Sequence, residues 1–117
     1  MAQRFIRPLA SKTSILKTVE SLTQRNINAL VVDSTAEALS LLVSLVPRGS
    51  DVYCGTSETL DSIGFREYIQ NNPDYRSLDR EFEMESDPQN KQELRRLSSI
   101  SEYYVGSVQA MSESGEV

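Results

Sequence analysis

Apolar residues along this chain switch between helical spacing and short continuous runs. Ile15, Val19 and Leu22 recur at i, i+4 and i+7, one face of a helix that Ser11 or Thr13 caps. Residues 27–32 end in the run Leu30-Val31-Val32, which suits a parallel strand covered on both faces. Asp33 and Ser34 close it, and Ser34 or Thr35 caps a second helix over residues 36–46, with Glu37 in an acidic first turn. This helix is apolar nearly all round (Leu39, Leu41, Leu42, Val43, Leu45, Val46), which predicts packing on more than one side. Pro47 and Gly49 stop it. Val52-Tyr53-Cys54 predicts a buried strand, followed by a helix that Gly64 interrupts and residues 65–69 continue.

Asn71-Asn72-Pro73-Asp74 is a turn signal, and the polar stretch 75–85 holds at most a weak strand at 76–79. Asp87-Pro88 reads as an N-cap with proline at the first helical position, and Leu94, Leu97 and Ile100 mark the apolar face of the helix that follows. Tyr103-Tyr104-Val105 predicts a strand stopped by Gly106-Ser107, and Ser112-Glu113-Ser114-Gly115 a turn. The alternation implies an α/β fold, with a mostly parallel sheet flanked by helices. At 117 residues the chain makes one domain or part of one, long enough to bury a core without disulfides.

The hexapeptide Leu45-Val46-Pro47-Arg48-Gly49-Ser50 coincides with the sequence thrombin cleaves in engineered linkers. Here it completes a helix and supplies its stop, so it reads as native chain.

Charge and composition remove whole classes of function. A net charge of −5, with Arg95-Arg96 as the one close basic pair, argues against nucleic acid. No apolar run approaches the ~20 residues of a membrane span. The N-terminal Met-Ala-Gln-Arg-Phe-Ile-Arg-Pro lacks the apolar stretch of a secretory signal, so a cytoplasmic protein is expected. The absence of histidine removes imidazole catalysis and His-ligated metals. The single cysteine, Cys54, cannot hold an iron–sulphur cluster or a Cys-rich zinc site, and in a buried strand it reads as a small core hydrophobe. No metal site and no cofactor is expected.

Two segments remain as candidate chemistry. Gly55-Thr-Ser-Glu-Thr-Leu-Asp-Ser-Ile-Gly64 follows a predicted strand and opens a helix. Gly55, Ser57 and Thr59 there offer backbone amides and hydroxyls to a phosphate or carboxylate; plain helix capping by Thr56 or Ser57 explains the same residues. The segment has neither the G-K-[ST] ending of a Walker loop nor the G-x-G-x-x-G dinucleotide fingerprint. Gly106 and Ser107 form a second loop after a strand, with Glu113 downstream as a candidate acid/base; on the local sequence a polar turn between two strands is the stronger account. Ligands of open parallel sheets sit beyond the carboxyl ends of the strands, so the fold brings both loops to one edge. Glu81, Glu83, Glu85 and Asp87 alternate without the glycine and final glutamate of an EF-hand, and read as a solvated loop.

Taken in order, Thr35-Ala-Glu-Ala-Leu39, Val46-Pro47-x-Gly49, Gly55-x-Ser-x-Thr-Leu-x-x-Ile-Gly64 and Tyr104-Val-Gly-Ser-Val-x-Ala110…Glu113-x-Gly115 resemble the LUD-domain family. This is the C-type family of lactate-utilisation proteins, and the likeness runs from about Ile15 to Val117. It implies a fold related to ribose-5-phosphate isomerase, CoA transferases and formyltetrahydrofolate cyclo-ligase, whose Gly/Ser/Thr loops at strand ends hold anionic ligands. It also implies a place in the bacterial system that oxidises L-lactate to pyruvate, with iron–sulphur oxidoreductase subunits and a small anionic ligand as partners. Chains of this family continue past the Glu113-x-Gly115 turn, so a domain lacking its C-terminal part, and association into a homo-oligomer, are expected. Three roles stay open: an accessory or small-anion-binding component, a stand-alone enzyme acting on a small phosphorylated or carboxylated metabolite, and a non-catalytic scaffold subunit.

Overall fold

The computed structural model describes residues 9–117, so the stretch read above for a secretory signal lies outside the described residues. Two compact units emerge. One runs from Val32 to Ser107; the other joins residues 9–31 with Val108–Val117.

The Val32–Ser107 unit starts with α1, Thr35–Leu45. Ser34 Oγ accepts from Glu37 N (3.1 Å), while the Glu37 carboxylate accepts from Asp33 N (3.1 Å), a capping box displaced by one residue. Only one stripe of this helix reaches the core, through Leu39 and Leu42. Leu41 and Val43, off that stripe, are half-buried as well, while Leu45 is left 52% exposed. Burial is therefore partial over a broad face, wider than the stripe that meets the core.

The sheet is three-stranded and parallel throughout. β1, Asp51–Cys54, lies at its centre between β2, Arg76–Ser77, and β3, Tyr103–Val105. The register pairs Val52 with Ser77 on one side; Val52, Tyr53 and Cys54 pair with Tyr103, Tyr104 and Val105 on the other. Strand alternation turns Val52 and Cys54 into the core, where both are fully buried, and Tyr53 to the opposite face. Around them pack Val46, Leu60, Phe65, Ile69 and Tyr75.

Gly64 acts as anticipated. Its φ of +85° is left-handed, its N–H closes α2 (Glu58–Ile63) on the carbonyls of Leu60 and Asp61, and the chain restarts as α3, Phe65–Asn71. That redirection drives Phe65 and Ile69 into the core.

The polar stretch after Tyr75 holds the short predicted strand, and then a helix, α4, Leu78–Met84. Ser77 caps it by accepting from Arg80 N (3.3 Å), and Leu78 is its one fully buried apolar residue, too little for a hydrophobic period to show. Glu81 and Glu83 are therefore helical and ion-paired, with Arg76 (2.8 Å) and Arg66 (3.4 Å), rather than part of a solvated loop. α5, Pro88–Ser99, begins at the expected Asp87 cap, whose Oδ1 accepts from Gln89 N (2.9 Å). Ile100 falls just past its end and is exposed.

The strand expected over residues 27–32 does not form: none of these residues joins a ladder, and Leu30 and Val31 are more than half exposed. An apolar run reports a tendency to bury, whereas a strand also needs a partner for its backbone. The central place in the sheet, with a neighbour on each side, belongs to β1.

In the terminal unit, the helix Lys12–Gln24 is capped by Ser11, whose Oγ accepts from Ser14 N (3.1 Å). The expected turn at Ser112–Gly115 is present, closed by Gly115 N on Ser112 O and by Ser112 N on Glu116 O. Arg25 Nε donates to Ser114 O (3.2 Å), and Ser14 Oγ donates to the Glu113 carboxylate, so this turn lies along the helix. Among the described residues no helix is long and apolar enough to cross a membrane.

Candidate functional site

The loops that leave β1 and β3 meet at the carboxyl end of the sheet. Gly55 N–H donates to Val105 O (2.8 Å), extending the parallel ladder one residue beyond the strands. Two residues on, Ser57 Oγ donates to Ser107 Oγ (2.8 Å) and accepts from Leu60 N (3.1 Å). Gly55, Ser57, Gly106 and Ser107 are thereby gathered at one place. Ser57 is buried and its hydroxyl is engaged both as donor and as acceptor, so it caps α2 and fastens the loops together. Ser107 is exposed and its hydroxyl keeps donor capacity. Thr59 stands apart, exposed on α2, along a groove of about 500 Å³ shared with Asp33, Ser34, Ala38 and Ser62. Glu113 belongs to the terminal unit, beside Ser14.

Close approach explains both glycines. A Cβ on Gly55 would lie 2.7 Å from Tyr104 Oη, and one on Gly106 would lie 3.1 Å from Tyr104 Cε1. The Tyr104 ring lies across the two turns, stacked on Tyr53 with centroids 5.7 Å apart and planes 9° from parallel. It is 67% exposed, a phenol at the mouth of the loop pair. Sequence reading passed over Tyr104 as a strand residue; its place beside two glycine turns was the available signal.

Beneath the loops lies a buried polar cluster that no sequence motif announced. Asp79 is 3% exposed and accepts from Cys54 N (3.1 Å), Ser77 Oγ (3.1 Å) and Gln70 Nε2 (3.0 Å). Arg66 Nη2 donates to the carbonyls of Cys54 and Gly55, both at 3.2 Å. Its Nε is buried without a hydrogen-bond partner, 3.7 Å from Asp61 and 3.9 Å from Asp79. Burial, and then the Asp79 carboxylate, push the Cys54 thiol up to about 12. Cys54 is thus a protonated core side chain at neutral pH and no nucleophile.

The assembled groups are glycine amides, serine hydroxyls and a phenol. They offer hydrogen-bond donors and shape, with no carboxylate or imidazole among them. Glu58 and Asp61 occupy the first turn of α2 and compete with any external anion for its positive end.

The LUD domain family matches residues 15–117, nearly the whole chain. The chain belongs to the LUD-domain family. No curated protein and no solved structure matches it. The LUD domain is associated with lactate-utilisation proteins. In this LUD domain the match takes in both glycine loops, Tyr104 and the Arg66–Asp79 cluster.

Proposed function

We propose that this LUD domain serves bacterial lactate utilisation as a cytoplasmic accessory component that holds a small carboxylate or phosphate between the Gly55–Ser57 and Gly106–Ser107 loops. The observation that carries the reading is the pair of hydrogen bonds, Gly55 to Val105 and Ser57 to Ser107, that joins two loops beyond the carboxyl ends of adjacent parallel strands. In open α/β sheets, that is where ligands bind. The parallel order is also what supports a fold akin to ribose-5-phosphate isomerase and the CoA transferases. The acidic first turn of α2 favours a singly charged carboxylate over a more highly charged ligand.

A binding role suits the donor set better than turnover does, since the loop pair brings no carboxylate or imidazole to act as general acid or base. Redox chemistry would come from iron–sulphur partner subunits, because Cys54 is buried and protonated. Glu113 is the acid/base of the enzymatic version of this reading, in which Glu113→Gln abolishes turnover and spares binding.

Affinity capture with the tagged full chain, from cells grown on L-lactate, tests the accessory role. Recovery of Cys-rich iron–sulphur subunits is the expected result. Their absence from cells that demonstrably express them refutes it.

A further inference from the structure

The backbone entering the Gly55 turn is gripped from one side. Cys54 N–H is held by Asp79, and the next two carbonyls, Cys54 O and Gly55 O, are both held by Arg66 Nη2. Every described peptide is trans, and a trans peptide points its C=O and N–H in opposite directions. The peptide joining Gly55 to Thr56 therefore turns its carbonyl to the guanidinium and the Thr56 N–H away from it. The preceding N–H, that of Gly55, is already donated to Val105 O. The Thr56 N–H has no acceptor among the described residues, and Thr56 is exposed.

The geometry points to Arg66 as a positioning residue: by holding Gly55 O it aims the Thr56 amide outward as a donor to a carboxylate or phosphate oxygen. This rests on the reading of the loop pair as a ligand site. Arg66 acts through direction rather than charge, since Asp79 lies close enough to offset the guanidinium, with Asp61 and Glu83 at its edge. An arginine placed only for an ion pair with Asp79 would turn its fork onto that carboxylate. Here Nη2 goes to two backbone carbonyls, Nη1 reaches Glu83, and Nε is left 3.9 Å from Asp79.

The test follows backbone amides of the ¹⁵N-labelled full chain by NMR during titration with acetate, and separately with inorganic phosphate. In the wild type the Thr56 and Ser107 amides both shift. In Arg66→Met the Thr56 response disappears and Kd rises about tenfold or more, the factor expected for one charge-assisted hydrogen bond. Urea unfolding of the same sample establishes that the variant is folded. If Arg66→Met does not fold, Arg66→Lys replaces it: the charge is kept, the shorter side chain stops before Gly55 O, and the same selective loss is expected. A purely structural role would lower the urea midpoint without singling out Thr56. The inference is overturned by an unchanged Kd and Thr56 shift in the folded variant, or by a wild type in which Ser107 responds and Thr56 does not. Silence at both amides in the wild type overturns the ligand-site reading itself.

Discussion

Replacing Asp79 with alanine removes the acceptor on which three donors converge. Cys54 N–H, Ser77 Oγ–H and Gln70 Nε2–H all point at this carboxylate, which is 3% exposed. Ser77 and Gln70 are side chains that can turn toward other partners. Cys54 N–H cannot, because β1 is fixed in the middle of the sheet. Leaving that one buried donor unsatisfied costs about 1–3 kcal/mol. Arg66 also loses its most buried counter-charge, and breaking a buried pair from one side costs about 3–5 kcal/mol. The 3.9 Å separation and the further carboxylates at Asp61 and Glu83 place this instance at the lower end. The two terms overlap, so a loss of about 4 kcal/mol is expected for Asp79→Ala, a large share of the 5–15 kcal/mol typical of a domain. Asp79→Asn keeps an oxygen for Cys54 N–H and Ser77, while Gln70 can rotate to accept from the new amide; about 1–2 kcal/mol is expected there, mainly the lost charge. Equilibrium urea unfolding followed by far-UV circular dichroism measures both, with the m-value checked for constancy. A cost for Asp79→Ala below about 1 kcal/mol, the range of ordinary surface substitutions, would refute the assignment of Asp79 as the anchor of β1.

The remaining predictions concern the loops and the thiol. Thrombin should cut the native chain far more slowly than a free peptide of the same sequence. Gly49 N–H is tied to Asp74 O (2.7 Å), Arg48 to the Asp74 carboxylate (2.7 Å) and Tyr75 Oη–H to Val46 O (3.0 Å), so cleavage must wait for local opening. Cleavage of the native chain at the peptide's rate would sink this. Gly55→Ala should destabilise by about 1–3 kcal/mol through overpacking. The penalty should shrink in a Tyr104→Phe background, because the nearest contact then relaxes from 2.7 Å to the 3.4 Å of the ring carbon. Equal penalties in the two backgrounds would mean that Tyr104 is not what demands glycine. The Cys54 thiol, raised from 9.0 to about 12, favours the folded state while protonated. That contribution is complete below the unfolded-state value and disappears as pH climbs from 9.0 through about 12. Cys54→Ala should flatten this part of the stability profile in urea titrations across alkaline pH; an unchanged slope would assign it to other groups.

Where a residue acts on its own backbone, the sequence was legible. Ser34, Ser57, Asp87 and Gly64 do in space what their positions along the chain imply, because a cap or a left-handed turn is decided within four residues. Legibility fell where a partner had to come from far away. Residues 27–32 have the composition of a buried strand and lack a ladder, and α4 has a ladder of helical bonds with almost no apolar period to betray it. The meeting of the Gly55 and Gly106 loops could be inferred because strand order alone sends both to one edge. What lies under that edge could not. Arg66 and Asp79 sit among ordinary charged residues of two helices, and nothing in their spacing separates them from Arg80 or Glu83, which remain at the surface. Their distinction is burial against β1, a product of the parallel pairing that places Ser77, and with it Asp79, beside Val52 and Cys54. The visible half of the candidate site is therefore a glycine–serine loop of a common kind. The half that gives it direction is an arginine and an aspartate that become identifiable only once the strands are side by side.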